Sequence, residues 1–149
     1  MADSDLIKLY SGRILDLAAD IPFTEPLSAP HATARRRAPL CGSTVTVSVA
    51  MTEGRVSGFS QTVRACALGQ AAASVVGRAI VGCTEAQVIR ARDQLGEMLA
   101  GTGPAPDAPF DELAVLLPAR EFRNRHASIL LALEASVEAI AAARATACA

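Results

Sequence analysis

The chain has 149 residues, enough for one domain with a real core, and a formal net charge of −1, with Lys8 the single lysine among its 14 basic residues. That balance argues against a general nucleic-acid binder, whose domain would be basic overall. Hydrophobic residues make up 51% of the chain but aromatics only 3%, which predicts closely packed Ala-rich helices around a small sheet.

The N-terminus, MADSDLIKLY, is too polar for a signal peptide, so a cytoplasmic protein is expected. Leu6, Leu9, Ile14 and Leu15 recur at mostly helical spacings and predict a first helix over 5–19. Residues 21–40 carry prolines and the run Arg35-Arg36-Arg37, and read as an extended or mobile connector. The arginine run is either a solvated loop or a docking site for an acidic partner.

From Thr44 to Met51 the sequence alternates, with Val45, Val47 and Val49 on one face and Thr44, Thr46 and Ser48 on the other. This is the pattern of a half-buried strand. A turn at Glu53-Gly54 returns the chain as a second strand over Arg55 to Arg64, making an antiparallel hairpin. From Ala67 the texture changes to ALGQAAASVVGRAI, a small-residue helix able to lie close to a sheet.

Thr84 caps a further helix running to about Ala100, with Glu85 and Gln87 in its first turn. GTGPAPDAP at 101–109 is a linker. A short helix over Phe110 to Leu116 is expected to stop at Pro118, followed by a long Ala-rich helix from about Ala127 to Arg144. Arg90, Arg92, Glu134 and Glu138 interrupt the Ala-rich stretches, so no apolar run of about 18 residues is available to span a membrane. The order of elements predicts a single α+β domain over 1–149, with a small hairpin-based antiparallel sheet packed against several helices.

Four cysteines without a secretory signal argue against a disulfide framework. Cys148 falls in the C-terminal tail and Cys83 in an interhelical turn, and both read as structural. Cys41 precedes Gly42 at the start of the hairpin, and Cys66 stands where the second strand meets the small-residue helix. A helix N-terminus stabilises a thiolate, and Arg64 adds to that, so Cys66 is a candidate for a lowered thiol pKa. Its alternative is a small buried cysteine filling a gap.

Two thiols are too few for a closed zinc site, which wants four ligands. Further donors would come from His126, His31, solvent or substrate. His126, in REFRNRHASIL, is flanked by Arg123 and Arg125, which favour a neutral imidazole, and Ser128 follows two residues later. No G-x-S-x-G, P-loop, dinucleotide fingerprint or H-E-x-x-H is present.

Together these segments resemble the NifU/IscU/SufU-type iron–sulfur cluster assembly scaffold family. Tyr10-Ser11 and Ile14-Leu15-Asp16 look like its opening helix. PLCGS resembles the loop of the first ligand, where the family has Cys-Gly-Asp. VRACALGQAAAS resembles the segment of the second, and the separation of 25 residues between Cys41 and Cys66 suits the family. The insert at 101–118 resembles the SufU-like branch. The match spans most of the chain, least of all 21–36.

Two family positions differ. The aspartate after Cys-Gly is Ser43 here. The SufU-like pattern Phe-Pro-x-Arg-x-Lys-Cys-Ala aligns on Phe122 to Ile129, which puts Ser128 in place of the third cysteine. His126, two residues earlier, is a substitute ligand by resemblance to the IscU branch, where a histidine directly precedes that cysteine.

The resemblance implies a SufE/NifU-like α+β fold and a scaffold or carrier rather than an enzyme. Its metal-binding residues would be Cys41, Cys66 and His126, with Ser43 and Ser128 as weaker candidates. Its cargo would be an iron–sulfur cluster of the 2Fe–2S type, or iron, with zinc a further option. The implied partners are a cysteine desulfurase and apo iron–sulfur proteins, with no nucleic acid and no membrane, in a monomer or weak homo-oligomer. Two other readings stay open: a sulfur relay with Cys66 as the persulfide acceptor, and a scaffold fold kept as an interaction module without metal.

Overall fold

The computed structural model describes residues 11–148. Helix α1 (Gly12–Ala19) starts at Ser11, whose hydroxyl accepts the Ile14 N–H at 3.4 Å, and it buries Ile14 and Leu17. The part of the expected first helix before residue 11, with Tyr10, lies outside the described residues.

The sheet has three antiparallel strands in the order β1 (Ala32–Arg37), β2 (Thr44–Thr52) and β3 (Arg55–Arg64). The expected hairpin is β2–β3. At its turn Glu53 and Gly54 both have positive φ, 53° and 76°, as the favoured two-residue hairpin turn requires. Val45, Val47 and Val49 are fully buried.

The connector reading of 21–40 is corrected at its C-terminal end, where β1 adds an edge strand. Consecutive arginines hid the alternation. In the register Ala34 faces Val47 and Arg36 faces Val45, on the packed side, while Arg35 faces Thr46 and Arg37 faces Thr44 on the open side. Arg36 then reaches Glu138 at 3.7 Å, so the run is split between two faces of the sheet.

Helices α2 (Ala67–Ile80), α3 (Glu85–Ala100) and α4 (His126–Cys148) complete the fold. Thr84 and Gln87 form a reciprocal capping box at the start of α3. Leu68, Ala71, Ala72, Ala73 and Val76 of α2 are fully buried, so small side chains let this helix lie close to its neighbours.

The expected stop at Pro118 does not occur. Residues Asp111–Glu121 form a run of 3-10 turns through the proline, followed by Arg123–Arg125. A proline removes only one donor from such short-range turns, so they tolerate it better than an α-helix interior does.

Helix α4 packs across β1 and β2 and against α2 and α3. Within the 24-residue stretch Arg123–Thr146 an 18-residue window reaches a mean hydropathy of 1.4, long and apolar enough to cross a membrane by length and composition alone. Its apolar window is 56% buried against the sheet and neighbouring helices, as suits a central core helix.

Candidate functional site

Three chain segments meet at one end of the sheet. The β1–β2 connection is closed by two main-chain hydrogen bonds, from Ala38 N–H to Ser43 O at 2.8 Å and from Gly42 N–H to Ala38 O at 2.9 Å. Gly42 has φ 73°, a left-handed conformation that a β-carbon would strain. This tight loop presents Cys41 to solvent and tucks Ser43 beneath it, 6% exposed.

The β3–α2 junction supplies Cys66, half-buried at the N-cap of α2. The first turn of α4 supplies Ser128, 1% exposed. Gly69 sets how close α2 and α4 come: a β-carbon there would sit 2.5 Å from Ser128 Oγ and 3.2 Å from its carbonyl oxygen. Only glycine lets the two helices meet at this point.

The four side chains form a continuous string. The Cys41 thiol donates to Ser43 Oγ at 3.1 Å, the Ser128 hydroxyl donates to Ser43 Oγ at 3.2 Å, and Cys66 Sγ lies 3.5 Å from Ser128 Oγ. The two cysteines and the two serines at the differing family positions thus occupy one site.

Both thiols are more acidic than an ordinary cysteine. For Cys41 the main cause is the Ser43 hydroxyl, followed by the Ser43 backbone N–H; burial and the neighbouring Cys66 oppose them. For Cys66 burial is the largest influence and pushes the pKa up. The Gly69 N–H, the Ser128 hydroxyl, the Leu68 N–H and Arg125 together outweigh it. These helix N–H groups lie toward Cys66 Sγ without closing a full capping bond.

His126 is not gathered with them. Its Nε2 is 2.9 Å from the Ala119 carbonyl oxygen, to which it donates. The reason is helical geometry: residues two apart are turned by about 200° around the axis, so Ser128 and His126 cannot both face the thiols. The three-ligand set of Cys41, Cys66 and His126 is therefore not assembled in this structure. His31 is also elsewhere, its Nδ1 accepting the Met51 N–H at 2.9 Å at the far end of β2.

Cys83 is buried and donates to the Ala79 carbonyl oxygen at 3.3 Å, and burial, only partly offset by Arg55, pushes its pKa up. Cys148 lies in the last turn of α4. Among the described residues, no group of three or more His, Cys, Asp and Glu side chains is arranged to hold a metal ion.

Two contributors were not singled out in the sequence. Arg125 approaches Cys66, an influence invisible without knowing that α4 starts beside α2. Leu40, 86% exposed, directly precedes Cys41 and leaves an apolar side chain open to solvent there.

The fold is shared with known structures. A nitrogen-fixing NifU-like protein (N-terminal) from Brucella abortus is 38% identical over 95% of this chain and 98% of its own, with a TM-score of 0.91. A putative iron–sulfur cluster assembly scaffold protein for the SUF system from Fervidobacterium islandicum is 18% identical over 90% of this chain and 98% of its own, with a TM-score of 0.80. That second likeness speaks for the fold alone. No protein-family model and no curated protein matches the sequence.

Proposed function

The chain belongs to the NifU-like (N-terminal) family, and from that premise we propose that it is an iron–sulfur cluster assembly scaffold. In this reading it is a carrier with no turnover of its own. Iron and sulfide are its cargo, held transiently at Cys41 and Cys66 and passed to apo-proteins. The observation that carries the reading is the string from Cys41 through Ser43 and Ser128 to Cys66.

Thiolates are the usual ligands of iron–sulfur clusters, and both thiols here are held on the acidic side of an ordinary cysteine. Once the thiols are ionised, Ser43 and Ser128 act on them as hydrogen-bond donors. Such bonds draw electron density from a sulfur ligand and tune the potential and lability of what it holds. A site with fewer anionic protein ligands suits temporary cargo, and zinc is a poorer fit, since a closed zinc site takes four.

The donor of sulfur in this proposal is a cysteine desulfurase. A sulfur relay is the second reading, favoured by the placement of Cys66 between a helix N-terminus and Arg125. There the Cys66 thiolate attacks the terminal sulfur of the donor's persulfide. The donor's sulfur–sulfur bond breaks, its thiolate leaves, and Cys66 carries the persulfide.

Anaerobic reconstitution with iron, sulfide and desulfurase tests both readings, comparing the wild type with Cys41→Ser, Cys66→Ser and His126→Ala. Cysteine-dependent visible charge-transfer absorption, little altered in His126→Ala, supports the scaffold. Persulfide on Cys66 without bound iron supports the relay. Neither iron nor persulfide on the wild type would sink both and leave an interaction module.

A further inference from the structure

The arginines of this fold divide into two populations. Arg13, Arg36, Arg78, Arg90, Arg92 and Arg144 each lie within ion-pair distance of a carboxylate. The other seven do not, among the described residues: Arg55 and Arg120 donate to main-chain carbonyls of Gly82 and Met98, Arg123 lies in the turn before α4, and the remaining four, Arg35, Arg37, Arg64 and Arg125, belong to the thiol end.

Their placement follows from the strand register. Arg37 faces Thr44, which faces Arg64, so these two arginines share the open face of the sheet at the edge that carries the cysteine loops. Arg35 is the next residue of β1 on that face. The Arg37 guanidinium lies 3.7 Å from the point where a Gly42 β-carbon would be, directly against the Cys41 loop. Arg125, just before α4, lies close enough to Cys66 to favour its thiolate. A chain of net charge −1 thus concentrates uncompensated positive charge around its two exposed and half-buried thiols.

The same site is short of ligands. An iron–sulfur cluster of the 2Fe–2S type takes four, and the protein brings two thiols. Ser43 and Ser128 are poor replacements: both are buried neutral hydroxyls already engaged with each other and with the thiols. Ligands from outside must complete the set.

We infer that small thiols bearing carboxylates supply the two missing ligands, with their carboxylates seated on Arg35, Arg37, Arg64 and Arg125. This rests on the scaffold reading above. Each incoming thiol loses its proton to solvent as its sulfur bonds to iron, with no change of oxidation state. Arginine matches a carboxylate through its planar fork of donors. A second copy of the chain would also bring two thiols, but it would set one unpaired arginine rim against another, which costs energy where an anionic ligand gains it.

Glutathione is the probe. Anaerobic reconstitution of the full chain with iron and sulfide is run with glutathione, with uncharged 2-mercaptoethanol, or with no added thiol. Bound iron, co-eluting glutathione and molecular mass by light scattering are then measured. The expected product is a monomer carrying one cluster and two glutathiones. 2-Mercaptoethanol supports it only at higher concentration. Arg37→Gln/Arg64→Gln raises the half-saturating glutathione concentration roughly tenfold, an effect that added salt diminishes.

A cluster held by two chains without glutathione overturns the inference and leaves the scaffold reading standing. Equal performance of glutathione and 2-mercaptoethanol does the same. No cluster under any of the three conditions removes both.

Discussion

Ser128 Oγ donates to Ser43 Oγ at 3.2 Å across 85 positions of sequence, and this bond joins the loop of Cys41 to the neighbourhood of Cys66. Each hydroxyl has one proton to give. With both thiols protonated, Ser128 gives its proton to Ser43. With both ionised, Ser43 must turn to Cys41 and Ser128 to Cys66, and the bond between the serines is released. Deprotonation or metal ligation of the pair therefore loosens the contact between the β1–β2 loop and α4.

Thiol alkylation by iodoacetamide checks the electrostatics. The rates at Cys41 and Cys66, resolved by peptide mass, should reach half of their plateau at a pH below that of an ordinary cysteine, because both pKa values are lowered. Cys83, raised by burial, should react last. Ser43→Ala should move the Cys41 midpoint up, since that hydroxyl is its main support, and Ser128→Ala should move the Cys66 midpoint up. The sign for stability follows. A thiol with a depressed folded pKa contributes stability above its unfolded pKa, near 8.5, and loses it as pH falls through the folded value. Unchanged midpoints in both serine variants would remove the hydrogen-bonded string as the cause.

Gly69→Ala probes the packing that builds the site. A methyl group gains helix propensity of about 1 kcal/mol over glycine in an exposed helix. Here it would meet Ser128 Oγ at 2.5 Å and Ala65 Cβ at 2.8 Å, so something must shift. Overpacking of this kind costs about 1–3 kcal/mol, and the net effect expected is a loss of stability in thermal or urea unfolding. The variant should also lose the acid shift of Cys66, because the displaced neighbours are the Ser128 hydroxyl and its own N–H. A stable variant with an unaltered Cys66 midpoint would show that α4 has room to move.

The hairpin, the small-residue helix and the capping box at Thr84 were legible in the sequence because each has a local signal: period-two valines, a turn dipeptide, a cap followed by Gln87. The cysteine pair was legible for the same reason, each thiol standing at a junction between elements. β1 was not, because its packed-side residues are the small Ala32 and Ala34 and then Arg36, a charge between the outward Arg35 and Arg37, so no alternation of hydrophobicity marks the strand. The alignment put Ser128 in the place of the third cysteine, but nothing in the sequence showed that His126 would turn away from the thiols. Which of them faces the thiols depends on the rotational phase of α4, set by Gly69 and the buried residues Ile129, Leu131 and Ala132 that lock the helix to the core.

Glu134→Gln addresses a charge the fold bears at a cost. Burial pushes the Glu134 pKa up, and Arg36 and Arg92 only partly offset it. A raised carboxyl pKa means that the folded state favours the protonated form, so its contribution to stability is lost as pH rises above the ordinary glutamate value. The substitution should raise Tm at pH 7 by no more than about 2–4 °C, since the side chain is only half-buried and solvent screens part of the effect. The gain should vanish below about pH 4, where glutamate is protonated in both states. A lower Tm at pH 7 would mean that attraction from the two arginines outweighs desolvation.

Ser43→Asp/Ser128→Cys tests how much of the metal selectivity lies in two side chains. The two serine oxygens stand between the thiols, at 3.1 Å from Cys41 Sγ and 3.5 Å from Cys66 Sγ. A carboxylate and a third thiolate at these points would complete four anionic ligands, the number a closed zinc site takes. Zinc affinity, measured by competition with a chromophoric chelator, should rise by more than about 100-fold, because even a partner outside the ligand shell is worth 10–100-fold. Each single substitution should give a smaller gain, and the two together more than their product, since a tetrahedral site closes only with its last ligand. The same double variant should release bound iron and sulfide more slowly to an apo-acceptor, because added thiolate and carboxylate bonds must break. A double variant with wild-type zinc affinity would show that the serine positions do not converge on the thiols in solution.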